Sequence, residues 1–254
     1  MTLQEKGIDD WVPKKMVLLN RDQFKPEYLK LNPKAQVPTL VHDGRVIRES
    51  SIICDYLDDL APEPALKPKD AIDRALSREW IKDTDESGYQ ATASLNFVTK
   101  FRLEIPRDKM EERWKKVTDI DRLHRQQSCV YEGFESPYVL RAIGAWDRIF
   151  KKMEESLSDG RPWIMGDQFS LVETTSAPLI KVMEMLRLLH LWLEDRPNVQ
   201  RWWESVTRRQ SYKQLEEYPG QNEDDDAPHA KAGAAAATEI KSLLEKYRTT
   251  IPQL

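Results

Sequence analysis

Cysteine is scarce: Cys54 and Cys129 are the only 2 thiols in 254 residues. They have no C-x-x-C spacing and no neighbouring histidine cluster, which excludes a dithiol redox centre and a cysteine-ligated zinc site. They read as free thiols in a reducing compartment, and no metal is expected. Long apolar runs are also missing. Nothing approaches the ~20 residues needed to cross a bilayer, and Met1-Thr2-Leu3-Gln4-Glu5-Lys6 lacks the apolar stretch of a secretory signal. No membrane partner and a cytoplasmic location follow by default. Charge of one sign is not in excess either. The 39 basic and 43 acidic residues give a formal net charge of -4, which supplies no field to attract nucleic acid.

What is present divides the chain into an α/β part at 1–62, an all-helical part at 69–215, and an acidic, alanine-rich linker with a C-terminal helix at 216–254. Met16-Val17-Leu18-Leu19 is an apolar run of strand length, and residues 26–31 read as a short helix ending before Asn32-Pro33. Thr39-Leu40-Val41-His42, then Asp43-Gly44, then Arg45-Val46-Ile47-Arg48 predicts a β-hairpin, because Asp-Gly takes the positive φ values of a tight turn. Beyond Ser51, residues Ile52, Ile53, Tyr56, Leu57 and Leu60 follow helical spacing, with serine at the entry as a cap.

After a proline-rich connector at 62–68, helices dominate. Ile72, Leu76, Trp80 and Ile81 mark the first of them. Ser136-Pro137 opens another, with Leu140, Ile143, Trp146, Phe150, Met153 and Leu157 as its buried stripe. Residues 100–132 are dense in charge and predict partly exposed helices around a loop. Residues 221–237, with Asp224-Asp225-Asp226 and then alanines, read as a mobile linker unable to build a core. Ile240, Leu243, Leu244 and Tyr247 then predict a short amphipathic helix docked on the body.

The stretch richest in chemistry is Asn32-Pro33-Lys34-Ala35-Gln36-Val37-Pro38-Thr39-Leu40, followed after the hairpin by Arg48-Glu49-Ser50-Ser51-Ile52-Ile53. Together these resemble the glutathione-binding signature of the glutathione transferase superfamily, in which N-P-x-x-x-V-P-x-L precedes a hairpin and an E-S-x-x-I helix start. A second match lies at residues 163–173, Trp163-Ile164-Met165-Gly166-Asp167-Gln168-Phe169-Ser170-Leu171-Val172-Glu173, which resembles the family's W-x-x-G-D-x-x-S-x-A-D segment. Ser170 and Glu173 there have capping-box spacing, so their role is folding. Pro197-Asn198-Val199, Trp202 and Arg209-Gln210-Ser211-Tyr212 resemble the last conserved helix. Gln36-Val37-Pro38, Ile53-Cys54-Asp55-Tyr56-Leu57 and the charged insertion are similar to the bacterial β-aryl ether-cleaving members.

The resemblance implies an α/β thioredoxin-like N-terminal domain, shortened at its start, followed by an all-α helical-bundle C-terminal domain. It implies glutathione as cosubstrate. A cis bond before Pro38 would turn the backbone of Val37 outward to pair with the cysteinyl unit of the tripeptide. The helix start at Ser50 suits the γ-glutamyl carboxylate, Glu49 the ammonium group, and Gln36 the glycyl end. Without Val37-Pro38 upstream, Glu49 and Ser50 would read simply as a capped helix start.

The family's first strand, with the Ser, Tyr or Cys turn that steadies the thiolate, has no counterpart, so no catalytic residue is assigned. Cys54 lies on the apolar side of its helix and reads as a core thiol. The leading expectation is a cytoplasmic, homodimeric transferase of the detoxification type. It would present the glutathione thiolate to a hydrophobic electrophile lying between the two halves near Trp80, Tyr89 and Phe97, with pure core as the other reading of these aromatics and aryl-ether cleavage as one outcome of the reaction. The alternative is a non-catalytic binding or assembly module on the same fold.

Overall fold

The structure, a computed structural model, describes residues 1–18, 20–217 and 223–250. After α1 (Thr2–Glu5) the chain runs without regular structure to a 3-10 turn at Asp22–Phe24 and to α2 (Pro26–Leu31), where Pro26 takes the first helical turn. Strands β1 (Thr39–His42) and β2 (Arg45–Arg48) pair antiparallel, Thr39 opposite Arg48 and His42 opposite Arg45. Asp43 and Gly44 take φ of 49° and 72°, the two positive values that a primed two-residue turn demands. Helix α3 (Ser50–Leu60) follows and buries Ile53 and Leu57.

Two expectations fail in this half. Residues 16–18 form no strand, residue 19 lies outside the described residues, and the sheet among the described residues has only β1 and β2. The Val17 N–H donates to the Asp22 carboxylate at 2.8 Å, and its carbonyl accepts from the N–H groups of Asn20 and Asp22. The apolar run thus satisfies its polar groups in a local turn rather than in a ladder. The serine cap is also absent: the cap position falls on Glu49, whose φ is 66°, and no side chain caps the first N–H groups of α3.

Residues 71–104 form one rod: α4 (Ala71–Asp83), a π turn at Thr84–Gly88, α5 (Tyr89–Asn96), a second π turn at Phe97–Phe101, and α6 (Arg102–Glu104). Asp70 starts the rod by accepting from the N–H groups of Ile72 and Asp73. The helix that Ile72, Leu76, Trp80 and Ile81 mark is present, and its apolar residues divide between two faces. Trp80 is buried with Ser77, but Ile72 and Leu76, one turn apart, share an outward face and are 71% and 46% exposed.

The charge-dense stretch becomes α7 (Arg107–Trp114) and α8 (Ile120–Tyr131), which anchor through Met110, Trp114, Cys129 and Val130. Helix α9 (Pro137–Ser156) is capped by the Ser136 hydroxyl and runs through the centre, with Ile143, Trp146, Phe150 and Met153 fully enclosed. Around it stand α10 (Leu171–Met185), α11 (His190–Leu193), α12 (Pro197–Thr207), α13 (Gln210–Glu217) and α14 (Glu223–Thr250). The capping box at α10 forms as expected. Glu173 accepts from the N–H of Ile164 at 2.8 Å and from the N–H and hydroxyl of Ser170 at 3.0 and 2.6 Å. The two halves are joined by Leu66, Phe169 and Leu171, by the Leu171 N–H to the Leu66 carbonyl at 3.0 Å, and by Arg209 on Glu5 at 2.5 Å.

The C-terminal stretch corrects the linker reading. Residues 218–222 and 251–254 lie outside the described residues, but residues 223–250 form one helix, not a linker followed by a short helix. The alanines do build core: Ala232 and Ala236 are as buried as Ile240, Leu244 and Tyr247. Alanine has the highest helix propensity, and its small side chain lets α14 approach closely. Contact is tight. A Cβ on Gly233 would fall 1.7 Å from the Leu186 carbonyl oxygen, and one on Gly144 would strike the Tyr247 ring at 2.3 Å. Arg248 reaches buried Asp147 at 2.8 Å, beside Arg196 at 2.7 Å.

In an exposed helix, replacing glycine by alanine stabilises by about 1 kcal/mol. Here the sign reverses: Gly233→Ala is expected to destabilise by about 2 kcal/mol through overpacking, read as a lowered urea midpoint. A midpoint equal to or above that of the parent would contradict the docked position of α14.

Candidate functional site

The site begins with a loop pinned from below. The Asn32 amide, buried at the end of α2, donates to the Gln36 carbonyl at 2.8 Å, and its oxygen accepts from the Lys34 N–H at 3.2 Å. The Tyr28 hydroxyl, one turn earlier, donates to the same carbonyl at 2.6 Å and lies 2.9 Å from the Thr39 hydroxyl. Ala35 closes the loop with φ of 51° and its methyl group inside. With Gln36 held inward, Val37 and Pro38 face solvent, and the bond between them is cis. The β1–β2 ladder starts only at Thr39, and among the described residues no hydrogen bond uses the N–H or C=O of Val37. An extended peptide laid here would meet a free donor and a free acceptor.

Because Thr39 pairs with Arg48, the end of the ladder places Val37 and Pro38 on one side and Glu49 and Ser50 on the other. Glu49, at φ 66° and ψ 121°, turns the chain from β2 into α3 in a conformation that costs a non-glycine residue roughly 1–3 kcal/mol. The N–H groups that open α3 carry partial positive charge. The Ser50 hydroxyl is exposed and has no partner among the described residues. The Glu49 carboxylate rests 2.6 Å from Lys34 Nζ, with both groups well exposed. Such a pair contributes at most about 1 kcal/mol, so an incoming ammonium can take the place of the lysine. Ser51 is buried and donates to Asp85 in the first π turn. Burial pushes the Asp85 carboxyl up, the Ser51 hydroxyl opposes that shift, and the carboxylates of Glu49 and Glu86 reinforce it.

The helical half closes the other side: Gln36 Nε2 donates to the Tyr89 hydroxyl at 3.4 Å, and Arg122 donates to the Lys34 carbonyl at 3.1 Å. All five residues singled out in the sequence, Gln36, Val37, Pro38, Glu49 and Ser50, therefore gather around one end of the hairpin. Of the aromatics expected to border a second substrate, Tyr89 is open, whereas Trp80 and Phe97 belong to the core. The Cys54 sulfur accepts from the Thr2 hydroxyl at 3.1 Å, and burial pushes its pKa up.

The sequence reading missed the pins. Tyr28 and Asn32 are spaced i, i+4 along α2, a signal that was available; Asp85 offered none, since a carboxylate in a helical run is ordinarily solvated. A cavity of about 760 Å³ lies elsewhere, between α11, α12 and α14, and is lined by Leu189, Leu193, Trp203, Arg187 and Lys241. Among the described residues no His, Cys, Asp and Glu side chains converge as metal ligands, and no helix is long and apolar enough to cross a membrane.

These features define the class: a thioredoxin-like N-terminal half, with two strands among the described residues, followed by an all-helical C-terminal half. The family "Glutathione S-transferase, N-terminal domain" matches residues 1–65, and "Glutathione S-transferase, C-terminal domain" matches residues 122–210. The chain belongs to the glutathione S-transferase superfamily.

Among curated relatives, protein LigF of Sphingobium sp. (strain NBRC 103272 / SYK-6) is 41% identical over 90 residues, an alignment covering 34% of each chain. The tetrachloro-p-hydroquinone reductive dehalogenase of Sphingobium chlorophenolicum is 23% identical over 229 residues, covering 84% of this chain and 87% of that one. Among solved structures, the β-etherase LigF superposes with a TM-score of 0.73 at 24% identity, covering 85% of this chain and 91% of that one. A Burkholderia graminis glutathione transferase holding two glutathione molecules per subunit gives a TM-score of 0.64 at 24% identity, covering 87% and 82%. At these identities the structural likeness is one of fold.

The pinned loop makes a direct prediction. Asn32→Ala removes a buried donor to the Gln36 carbonyl and is expected to cost about 1–2 kcal/mol. Amide hydrogen exchange over residues 34–37 should accelerate in the same variant; unchanged exchange there would mean that the loop is held by other contacts.

Proposed function

We propose that this protein binds glutathione at the end of the hairpin and acts as a glutathione transferase, adding or exchanging the tripeptide's thiolate on a hydrophobic electrophile. The observation that carries the reading is the unpaired backbone edge of Val37, held open beside the start of α3. The cysteinyl unit pairs with Val37 as an added strand next to Pro38. The γ-glutamyl carboxylate meets the N–H groups of α3 and the Ser50 hydroxyl, its ammonium meets Glu49, and Gln36 faces the glycyl end.

The likeness to LigF, whose solved structure is described as a β-etherase, supports displacement at an ether-bearing carbon as the reaction class. The thiol must ionise to react, and an unperturbed thiol has a pKa near ~8.5. No side chain is assigned to that task. A cytoplasmic homodimer is part of the same reading, and the outward Ile72 and Leu76 on α4 supply apolar surface for a second copy.

Cys54 favours a second reading. The thiol of this half is partly buried, engaged by Thr2 and pushed up in pKa, which suits a binding or assembly module that holds glutathione without activating it.

Calorimetric titration of the whole chain with glutathione tests the site. Glu49→Ala, which removes the ammonium partner, is expected to weaken binding by about tenfold, equivalent to about 1.4 kcal/mol, with the thermal midpoint little changed because Glu49 is exposed. Absence of glutathione binding by the parent chain would end the proposal. Binding without conjugation of a generic aromatic electrophile would favour the module.

A further inference from the structure

Beside the loop that carries Gln36 and Val37 stands a group of guanidiniums that the reading above does not use. Arg122 and Arg125 lie one turn apart on the same face of α8, and Arg113 projects from α7 toward them, over the ring of Phe24 at 5.8 Å. Arg21 joins from the N-terminal half but is paired with Glu112 at 3.0 Å. Among the described residues, Arg113, Arg122 and Arg125 pair with no carboxylate.

What the three guanidiniums donate to is neutral. Arg113 reaches the Leu18 carbonyl at 3.0 Å, Arg122 the Lys34 carbonyl at 3.1 Å, and Arg125 the Gln90 side-chain oxygen at 3.2 Å. These contacts orient the groups and leave their charge uncompensated. The Nε atoms of Arg113 and Arg125 are buried and have no hydrogen-bond partner among the described residues. Burial, followed by the nearby charges of Arg122 and Arg21, pushes Arg113 down to about 10.

Buried donors without partners and like charges held together both cost free energy, and a bound anion relieves both. The hydrogen-bond partners fix where that anion would sit. Lys34 belongs to the glutathione loop, and Gln90 follows Tyr89, whose exposed ring meets Gln36 through its hydroxyl. The cations therefore flank an open aromatic surface at the edge of the proposed glutathione site, where a second substrate would enter.

We propose that Arg122 and Arg125, backed by Arg113, form an anion subsite that selects a second substrate carrying a carboxylate on an aromatic body. The proposal rests on the glutathione transferase reading and names the class of its electrophile. A planar guanidinium fork matches a carboxylate with two parallel hydrogen bonds, and the Tyr89 ring lies against the aromatic part.

The test compares para-nitrobenzoate with para-nitrobenzamide, a neutral analogue of similar shape, by calorimetry on the whole chain with and without glutathione. The acid is expected to bind about tenfold tighter than the amide, and salt should weaken the acid alone. In Arg125→Met the preference should fall severalfold while glutathione affinity stays unchanged, since Arg125 touches Gln90 and not the loop at residues 34–37. Arg125→Lys, which keeps the charge but loses the fork, should retain part of it, so the outcome does not depend on Arg125→Met folding.

Equal binding of acid and amide by the parent chain, or no binding of either, overturns the proposal. A loss of glutathione affinity in the Arg125 variants overturns it as well, because that guanidinium would then serve the tripeptide's own glycyl carboxylate. If the parent chain fails to bind glutathione but still prefers the acid, the transferase reading fails and the anion subsite stands.

Discussion

The Gln36 carbonyl, held by the Tyr28 hydroxyl and the Asn32 amide, is the contact on which the candidate site depends. A loop of seven residues between α2 and β1 has many ways to lie on a surface, and two donors on one inward-facing oxygen select among them. With that oxygen turned inward, the next peptide must face outward, and Val37 presents an unused donor and acceptor beside the start of α3. Everything nearby is held more loosely. The Lys34–Glu49 pair is solvent-exposed and exchangeable, Ser50 has no partner among the described residues, and Gln36 reaches Tyr89 only at 3.4 Å. The site thus combines a rigid backbone edge with side chains free to change partners when a ligand arrives.

The fold was legible where a local rule sufficed. Asp43-Gly44 admits little but a tight hairpin, Ser136-Pro137 starts a helix, and Ser170 with Glu173 closes a capping box; the structure contains all three. Local reading failed where a nonlocal partner decides. Met16-Val17-Leu18 has the composition of a strand, but a strand exists only beside another, and Asp22 captures the Val17 N–H instead. The alanines near residue 234 were set aside because alanine carries little apolar area. Their smallness is what allows α14 to seat Gly233 on the Leu186 carbonyl.

The same division runs through the site. Gln36, Val37, Pro38, Glu49 and Ser50 were readable because they fall in two short motifs at the two ends of one hairpin, so the hairpin itself brings them together. Asp85 and Arg122 were not readable. They come from helices 34 or more positions away in the chain, and only the packing of α4, α5 and α8 against the N-terminal half delivers them. Trp80, Tyr89 and Phe97 admit both a ligand-facing and a core reading in the sequence, and packing decides between them: Trp80 and Phe97 lie in the core and Tyr89 alone of the three is open.

The two π turns of the rod at residues 71–104 carry a further implication for how this lineage can vary in length. A π turn amounts to one extra residue accommodated within an α-helix. Each therefore sets the rotational phase of everything downstream, by roughly 100° per residue. Losing a single residue between Thr84 and Gly88 would straighten the helix locally yet swing Tyr89 and Gln90 away from Gln36 and Arg125. Insertions and deletions should therefore be tolerated in the loop between α7 and α8 and counter-selected in this short span, although both are solvent-accessible in part and neither lies at the centre of the core.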